Sequence, residues 1–302
     1  MKFCSLSLAW ASWVVAAGAL TAGAAQAGPT LDRIQSTGTI TLGYRAGGPP
    51  FSYEDRDGQV IGYSIDVCQR MASAIQQQLR LPRLTVRYVP VTTAERIAAV
   101  QNGRIDLECA STTNTKARRE QVAFGLTYFY TGARLLVRAG EGIRSLTDMK
   151  GKTLAMVKGT TGELVVRARE RQGEGGWKVQ MVESVRAGVA ALEQGTVDAV
   201  IQDDVQLAPL ARQSRKKLVL TGIAMSIEPL SLMYSKDDAE LGALVLTQMK
   251  QLYRNGDMER IYRQWFQQPL PSRNYSLDLK LNPLLRDNFM RPSPYVTDWT
   301  VL

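Results

Sequence analysis

The feature that most constrains this chain is an alternation of strand-like and helix-like segments that occurs twice, each time followed by a long extended stretch. In the first block a short helical segment, Leu31 to Ile34, is closed by Gly38. The β-rich run Thr39-Ile40-Thr41-Leu42-Gly43-Tyr44 follows and stops at Arg45 and a Gly-Gly-Pro-Pro loop. Ser64 to Leu81 has helical periodicity, with Ile65, Cys68, Met71, Ala72 and Ile75 on one face and Pro82 just beyond. Thr85 to Val91 reads as the next strand. Thr92 or Thr93 then reads as the N-cap of a helix carrying Ile97, Ala98 and Val100, closed by Asn102-Gly103. Ile105 to Cys109 is a third strand, followed directly by Ser111-Thr112-Thr113-Asn114.

The second block repeats the pattern. Lys152 to Val157 is a strand, Gly159-Thr160-Thr161-Gly162 a turn and Glu163 to Arg171 a helix; the strand Lys178 to Val182 follows the loop Gly173 to Gly176. A helix around Val189-Ala190-Leu192, a turn at Gly195 and a strand Asp198 to Ile201 complete it. Strands alternating with helices predict parallel sheets covered by helices, so two blocks predict an α/β protein of two lobes. Residues 28–130 would form the first part of lobe 1, 131–228 lobe 2, and 229–302 a return to lobe 1. The extended stretches Phe124 to Val137 and Ile223 to Tyr234 would cross between lobes as a two-strand hinge. A helix from Ala239 to Phe266 and a tail from Pro269 would pack back on lobe 1. Strand C-terminal ends would face the cleft, where open parallel sheets take their ligands.

The N-terminus points to a compartment. After Lys2, the residues from Leu6 to Ala25 are uncharged, and the stretch closes on Ala25-Gln26-Ala27, the small-x-small pattern of a cleaved signal peptide. Its most apolar part, Trp13 to Leu20, is far short of the ~20 residues of a membrane span, and no other segment is long and apolar enough. Residues 1–27 are therefore expected to leave a free periplasmic chain beginning near Gly28. The leader carries one Lys and no acid, so the mature chain keeps +8 of the net +9. Its basic residues are scattered, which fits a solvated surface and argues against nucleic acid as partner. Such a surface also concentrates anions near a cleft. The chain has no histidine, which excludes Ser-His-Asp and Cys-His catalysis and every His-containing metal site. No cofactor or metal is expected. Cys4 leaves with the leader; Cys68 and Cys109, in an oxidising compartment, suggest one disulfide, the alternative being two buried free thiols.

The predicted strand ends present Arg45 from the first strand, Thr93 and Arg96 from the second, and Ser111, Thr113 and Arg118 from the third. Lobe 2 offers Thr160, Thr161 and Asp203. Hydroxyls, three cations and one acid suit a free amino acid, whose carboxylate needs an Arg fork and whose ammonium needs an acid with other acceptors. Each residue also has a plainer reading. Arg45 alone reads as a surface charge, Thr93, Thr113 and Thr161 as N-caps, and Asp203 beside Asp204 as a cap of the next helix. Glu108 would pair with an arginine, and Tyr128-Phe129-Tyr130 would be hinge packing.

Several segments together carry a family resemblance: Pro50-Phe51-Ser52-Tyr53, Gly62-Tyr63-Ser64-Ile65-Asp66, and Gln101-Asn102-Gly103-Arg104-Ile105-Asp106-Leu107-Glu108-Cys109. Ser111-Thr112-Thr113-Asn114 with Arg118, Gly159-Thr160-Thr161, and Leu192-Glu193-Gln194-Gly195 leading to Asp203-Asp204 continue it. Over essentially the whole mature chain the sequence resembles the family 3 solute-binding proteins of polar amino-acid ABC importers, closest to their glutamate/aspartate-binding branch. The resemblance implies a type II periplasmic binding protein, a monomer that closes on glutamate or aspartate and docks on a membrane permease. It gives Arg118, with Thr113 and the backbone near Thr161, to the α-carboxylate. Ser111 and Asp203 go to the α-ammonium, and Arg45, Thr93 and Arg96 line the side-chain end, with Thr160 in the adjoining turn. One departure stands out: the histidine that the acidic branch presents from lobe 2 is Val185 here, with Ala187 nearby in place of a polar residue. Another polar amino acid is the alternative ligand. Some cyclohexadienyl dehydratases resemble these proteins, so an enzyme with Glu108 or Glu163 as acid is the competing class; a sensory ectodomain would need a following transmembrane segment, and none is read.

Overall fold

The computed structural model describes residues 28–271, 273 and 275–296. The signal-peptide reading of residues 1–27, and Cys4 with it, lies outside the described residues. In chain order the first portion comprises α1 (Pro29–Thr37), β1 (Thr39–Tyr44), β2 (Gly47–Gly48), β3 (Ser52–Glu54), β4 (Val60–Ile61), α2 (Tyr63–Gln78), β5 (Thr85–Pro90) and α3 (Arg96–Gln101). It continues with β6 (Leu107–Thr113), α4 (Lys116–Arg119), β7 (Ala123–Phe124) and β8 (Phe129–Thr131). The middle portion holds β9 (Ala133–Arg138), β10 (Thr153–Val157), α5 (Thr161–Arg171), β11 (Lys178–Val182), α6 (Val185–Gln194), β12 (Ala199–Asp203), α7 (Asp204–Gln213) and β13 (Leu218–Thr221). Then come β14 (Glu228–Tyr234), α8 (Ala239–Arg254), α9 (Asp257–Phe266) and α10 (Pro283–Met290).

Two sheets share one plan. The first runs β5-β1-β6-β14-β7, with β8 also on β14; the second runs β11-β10-β12-β9-β13. In each, three parallel strands are followed by an antiparallel strand that adjoins a hinge crossing, β14 in one and β9 in the other. The chain crosses once between β8 and β9 and once between β13 and β14. There the Met225 N–H donates to the Ala133 carbonyl at 2.9 Å, and the Ala133 N–H to Ser226 Oγ at 2.9 Å. A Cβ at Gly132 would lie 2.4 Å from the Ser226 carbonyl oxygen, so the crossing strands approach this closely only over a glycine.

Pairing moves several boundaries. Ser111 to Thr113 lie within β6 rather than after it, because Leu230 and Ser231 of β14 pair with Thr113 and Thr112. β12 extends to Asp203, which pairs with Ala133. The helix expected from Ala239 to Phe266 is two, parted where Asn255 Oδ1 accepts the Asp257 N–H at 3.0 Å. Before α3, Thr92 Oγ1 accepts the Glu95 N–H at 3.2 Å while Glu95 Oε1 accepts the Thr92 N–H at 3.0 Å, a reciprocal cap on the preceding turn.

The first lobe has a large apolar core, in which Phe129 stacks on Phe266 at 4.7 Å and Tyr262 on Phe266 at 4.6 Å, and a smaller cluster around Val91, Val100, Ile105 and Met233. Tyr128 and Phe129 thus pack at the hinge's root, as read from the sequence. Cys68 of α2 and Cys109 of β6 form a disulfide. In the second lobe the strands alternate faces: Leu154 and Met156 of β10 enter one apolar layer, Ala155 and Val157 another. Among the described residues no helix is long and apolar enough to cross a membrane.

Candidate functional site

Parallel strands of both sheets end toward the seam between lobes, and the seam is held by polar contacts. Arg45 follows β1 directly and is half-buried; its Nη1 donates to Thr93 Oγ1 at 2.7 Å. This corrects its reading as a surface charge, and it leaves Thr93 as partner to a guanidinium rather than as a helix cap. Arg96 opens α3 and is 3% exposed. Its Nη2 lies 3.5 Å from the Gly159 carbonyl oxygen across the seam. Arg118 sits in α4, where the Thr115 hydroxyl caps the turn. One of its fork nitrogens donates to the Thr113 carbonyl at 2.8 Å and the other to the Gly159 carbonyl at 3.0 Å. Two arginines of the first lobe therefore converge on one carbonyl of the second.

The second lobe meets them with the start of α5 and the end of β12. Thr160, not Thr161, is the cap of α5: its hydroxyl accepts the Glu163 N–H at 3.2 Å. Thr161 is the first helical residue, and its hydroxyl donates to Glu228 Oε2. Thr113 is likewise no cap, since it lies in β6 and donates to the same Glu228 oxygen at 2.8 Å. Asp203 occupies the N-cap position of α7 but makes no side-chain cap bond. It is 2% exposed and its Oδ1 has no partner among the described residues. Ser111 Oγ accepts from Gln206 Nε2, again across the seam.

Three side chains here escaped the sequence reading or were read as something else. Glu228, the first residue of β14, also accepts from Ser226 Oγ at 2.6 Å and so ties hinge, β6 and α5 together. A lone acid inside the extended run Ile223 to Tyr234 was the available signal. Gln206 on α7 accepts from Gln202 Nε2 at 2.7 Å, a pairing at helix-start spacing that carried no recognisable motif. Glu108 is fully buried in β6; Thr112 Oγ1 donates to its Oε1 at 3.0 Å, and its Oε2 has no partner among the described residues. Glu163 is engaged in its own turn, accepting the Gly159 N–H at 2.8 Å.

The charges are strongly perturbed. Burial raises the Asp203 carboxyl well above its ordinary range and nearby Glu228 adds to this, against the pull of Arg45 and Arg118. Burial raises Glu108 too, against Arg96 and Arg45. Arg96 is lowered well below its usual value by burial and then by repulsion from Arg118 and Arg45; Arg118 and Arg45 are lowered chiefly by burial. Among the described residues Arg96 Nε has no partner. Buried charges with unused hydrogen-bonding atoms are costly unless something compensates them. Beside this cluster lies a crevice of about 200 Å3, lined by Arg45, Thr93, Ser184, Val185 and Gln206. Val185, the first residue of α6, gives it an apolar wall. No group of three or more metal-ligating side chains occurs among the described residues.

Residues 40–268 match the family described as bacterial extracellular solute-binding proteins, family 3. The chain is 33% identical over 273 residues to a glutamate/aspartate import solute-binding protein of Salmonella typhimurium, covering 90% of each. It is 35% identical over 267 residues to an L-glutamate/L-aspartate-binding protein of Pseudomonas aeruginosa, covering 87% of this chain and 88% of that one. Among solved structures, a mutant of the arginine-binding protein of T. maritima superposes with a TM-score of 0.71 at 25% identity, over 79% of this chain and all of that one. All three are named as binding proteins.

Proposed function

Because the chain belongs to the bacterial extracellular solute-binding proteins of family 3, we propose that it is the periplasmic capture subunit of an amino-acid ABC importer, binding L-glutamate or L-aspartate between its lobes. The observation that carries the reading is the set of three guanidiniums, Arg45, Arg96 and Arg118, gathered at the seam with a buried acid, Asp203, whose Oδ1 has no partner among the described residues. On this reading residues 28–130 and 229–302 form the receiving lobe and 131–228 the closing one. Arg118, helped by Thr113 and the N–H groups at the start of α5, takes the α-carboxylate; a helix N-terminus favours that anion. Thr160 shapes that turn by capping it. Asp203 and Ser111 take the α-ammonium. Arg45, Thr93 and Arg96 take the distal carboxylate.

Charge supports an acidic ligand. A carboxylate ~4 Å from a guanidinium gains on the order of 4 kcal/mol before desolvation at an effective dielectric near 20. A neutral amide leaves Arg45 and Arg96 repelling one another. The ligand also replaces direct contacts between lobes, including the Arg118 and Arg96 contacts to Gly159, so closure around it is a shift between two sets of bonds. The closed form would then dock on a membrane permease.

The test is thermal unfolding of ligand-free protein against the common amino acids. Ligand at ~100 times its dissociation constant adds ~2.7 kcal/mol, a rise of several degrees at this size. The expected result is a rise with glutamate or aspartate and little with glutamine or arginine. In Arg96→Ala, acidic ligands should weaken ~10- to 100-fold and neutral ones much less, the loss of a charged hydrogen bond. Equal weakening of all ligands overturns the assignment of the distal end, and no response to any amino acid overturns the function.

A further inference from the structure

The start of the described chain is held in an unusual way. The Gly28 N–H donates to Glu240 Oε2 at 2.8 Å, and the Thr30 N–H donates to Asp238 Oδ2 at 3.0 Å. Asp238 is the N-cap of α8 and Glu240 lies in its first turn, more than 200 residues further along the chain. Asp238 is 2% exposed and fixed from both sides, since its Oδ1 also caps α8 by accepting the Leu241 N–H at 2.9 Å. The fit at Gly28 is close: a Cβ there would lie 2.3 Å from Asp238 Oδ1 and 3.0 Å from its carboxyl carbon. A bulkier residue cannot occupy the position without displacing the cap of α8.

The Gly28 nitrogen thus bonds the Glu240 carboxylate and lies beside a second carboxylate, Asp238, which is held by the Thr30 and Leu241 N–H groups. The sequence immediately before this nitrogen is Ala25-Gln26-Ala27, the small-x-small pattern at which a signal peptidase cuts. We propose that cleavage falls between Ala27 and Gly28 and that the α-ammonium it creates is a structural cation, docked on Glu240 and Asp238 and clamping α1 onto α8. In the step, water adds across the Ala27–Gly28 amide under a membrane signal peptidase. The C–N bond breaks, the hydroxyl goes to the Ala27 carbonyl carbon as a carboxylate, and the Gly28 nitrogen leaves as an amine that is protonated near neutral pH, where an α-amino group has a pKa of about 8. The nitrogen already sits in hydrogen-bonding contact with Glu240, so no rearrangement is needed. Its N–H···O bond to Glu240 becomes a charge-assisted bond between two ions, the stronger kind. The two acids also favour the N-terminus of α8, whose partial positive charge they offset.

The proposal rests on the periplasmic reading, and its test separates the two. In one arm the full chain, with its own first 27 residues, is expressed in a Gram-negative host and the envelope fraction is weighed intact. A mass beginning at Gly28 is expected. In the other arm, fusions are cut in vitro to leave either Gly28 or Ala27 as the first residue, each with Glu240 and with Glu240→Gln. The Gly28 form should melt ~2–4 °C higher than the Ala27 form, on the scale of one charged contact in a chain of this size. The gap should close in Glu240→Gln. A chain retained with its leader overturns export and this inference together. An exported chain with another first residue, equal melting of the two in-vitro forms, or a gap that persists in Glu240→Gln overturns the inference alone.

Discussion

The two lobes are built on the same sheet plan and equipped differently. The first has a large apolar core with a smaller second cluster, an aromatic stack at the hinge's root, a disulfide and all three arginines of the seam. The second has two smaller apolar clusters on the faces of its sheet, and it meets the arginines with a carbonyl, the first turn of a helix and an acid. On the proposed function, what it offers suits any amino acid. The difference then bears on where selectivity and rigidity would reside. The reinforced lobe would carry the charges that choose a ligand, and the other lobe would supply donors and acceptors that any zwitterion satisfies.

The strongest way to break that division is Arg118→Ala. Removing one partner from a buried charged cluster costs roughly 3–5 kcal/mol, so affinity for every amino acid should fall at least ~100-fold by titration calorimetry. Retention within ~10-fold would shift the α-carboxylate to the N-terminus of α5 and make the second lobe the principal receiver. Next in size is the disulfide. Its cysteines are 41 residues apart, and on the chain-entropy model Cys68→Ala with Cys109→Ala should destabilise by about 3–4 kcal/mol. The loss should fall on the first lobe, so hydrogen exchange should accelerate in β1 far more than in β10. Equal acceleration in both would mean that the lobes unfold as one unit and that the reinforcement is not local.

Much of this division was legible in the sequence, because period and punctuation are local signals. The double strand-helix alternation gave both parallel sheets, and Gly159-Thr160-Thr161-Gly162 marked the start of α5 to within two residues. What was not legible depended on pairing over long distances. Ser111 to Thr113 read as following the strand rather than belonging to it, because nothing near them in the chain announces β14, which pairs with this stretch from more than 115 residues away. Glu228 read as part of an extended run, although its carboxylate collects hydroxyls from Thr113, Thr161 and Ser226. Gln206 carries no motif and acts only because α7 brings it to Ser111. Residue type located the charges, whereas the fold alone revealed which of them are buried together.

The subtlest test adds a side chain to the lobe that lacks one. Val185 is the first residue of α6, 8% exposed, and faces the crevice it shares with Arg45 and Thr93. Val185→His would give the second lobe its own donor at the distal end, at the expense of some apolar packing. The positive end of α6 opposes an imidazolium, whereas a ligand carboxylate beside Arg45 favours it. The bound state therefore holds the proton more tightly than the free state. Affinity for an acidic ligand should then rise ~3- to 10-fold as pH falls through the imidazole range near 6.5, an effect of about 1 kcal/mol. Neutral amino acids should show no such slope, and the parent protein, which has no histidine, should show none from this source. Calorimetric titrations between about pH 5.5 and 8 read it directly. An unchanged ratio of acidic to neutral affinities would mean that the distal end is closed by the first lobe alone, and the division of labour between lobes would be sharper than the shared sheet plan suggests.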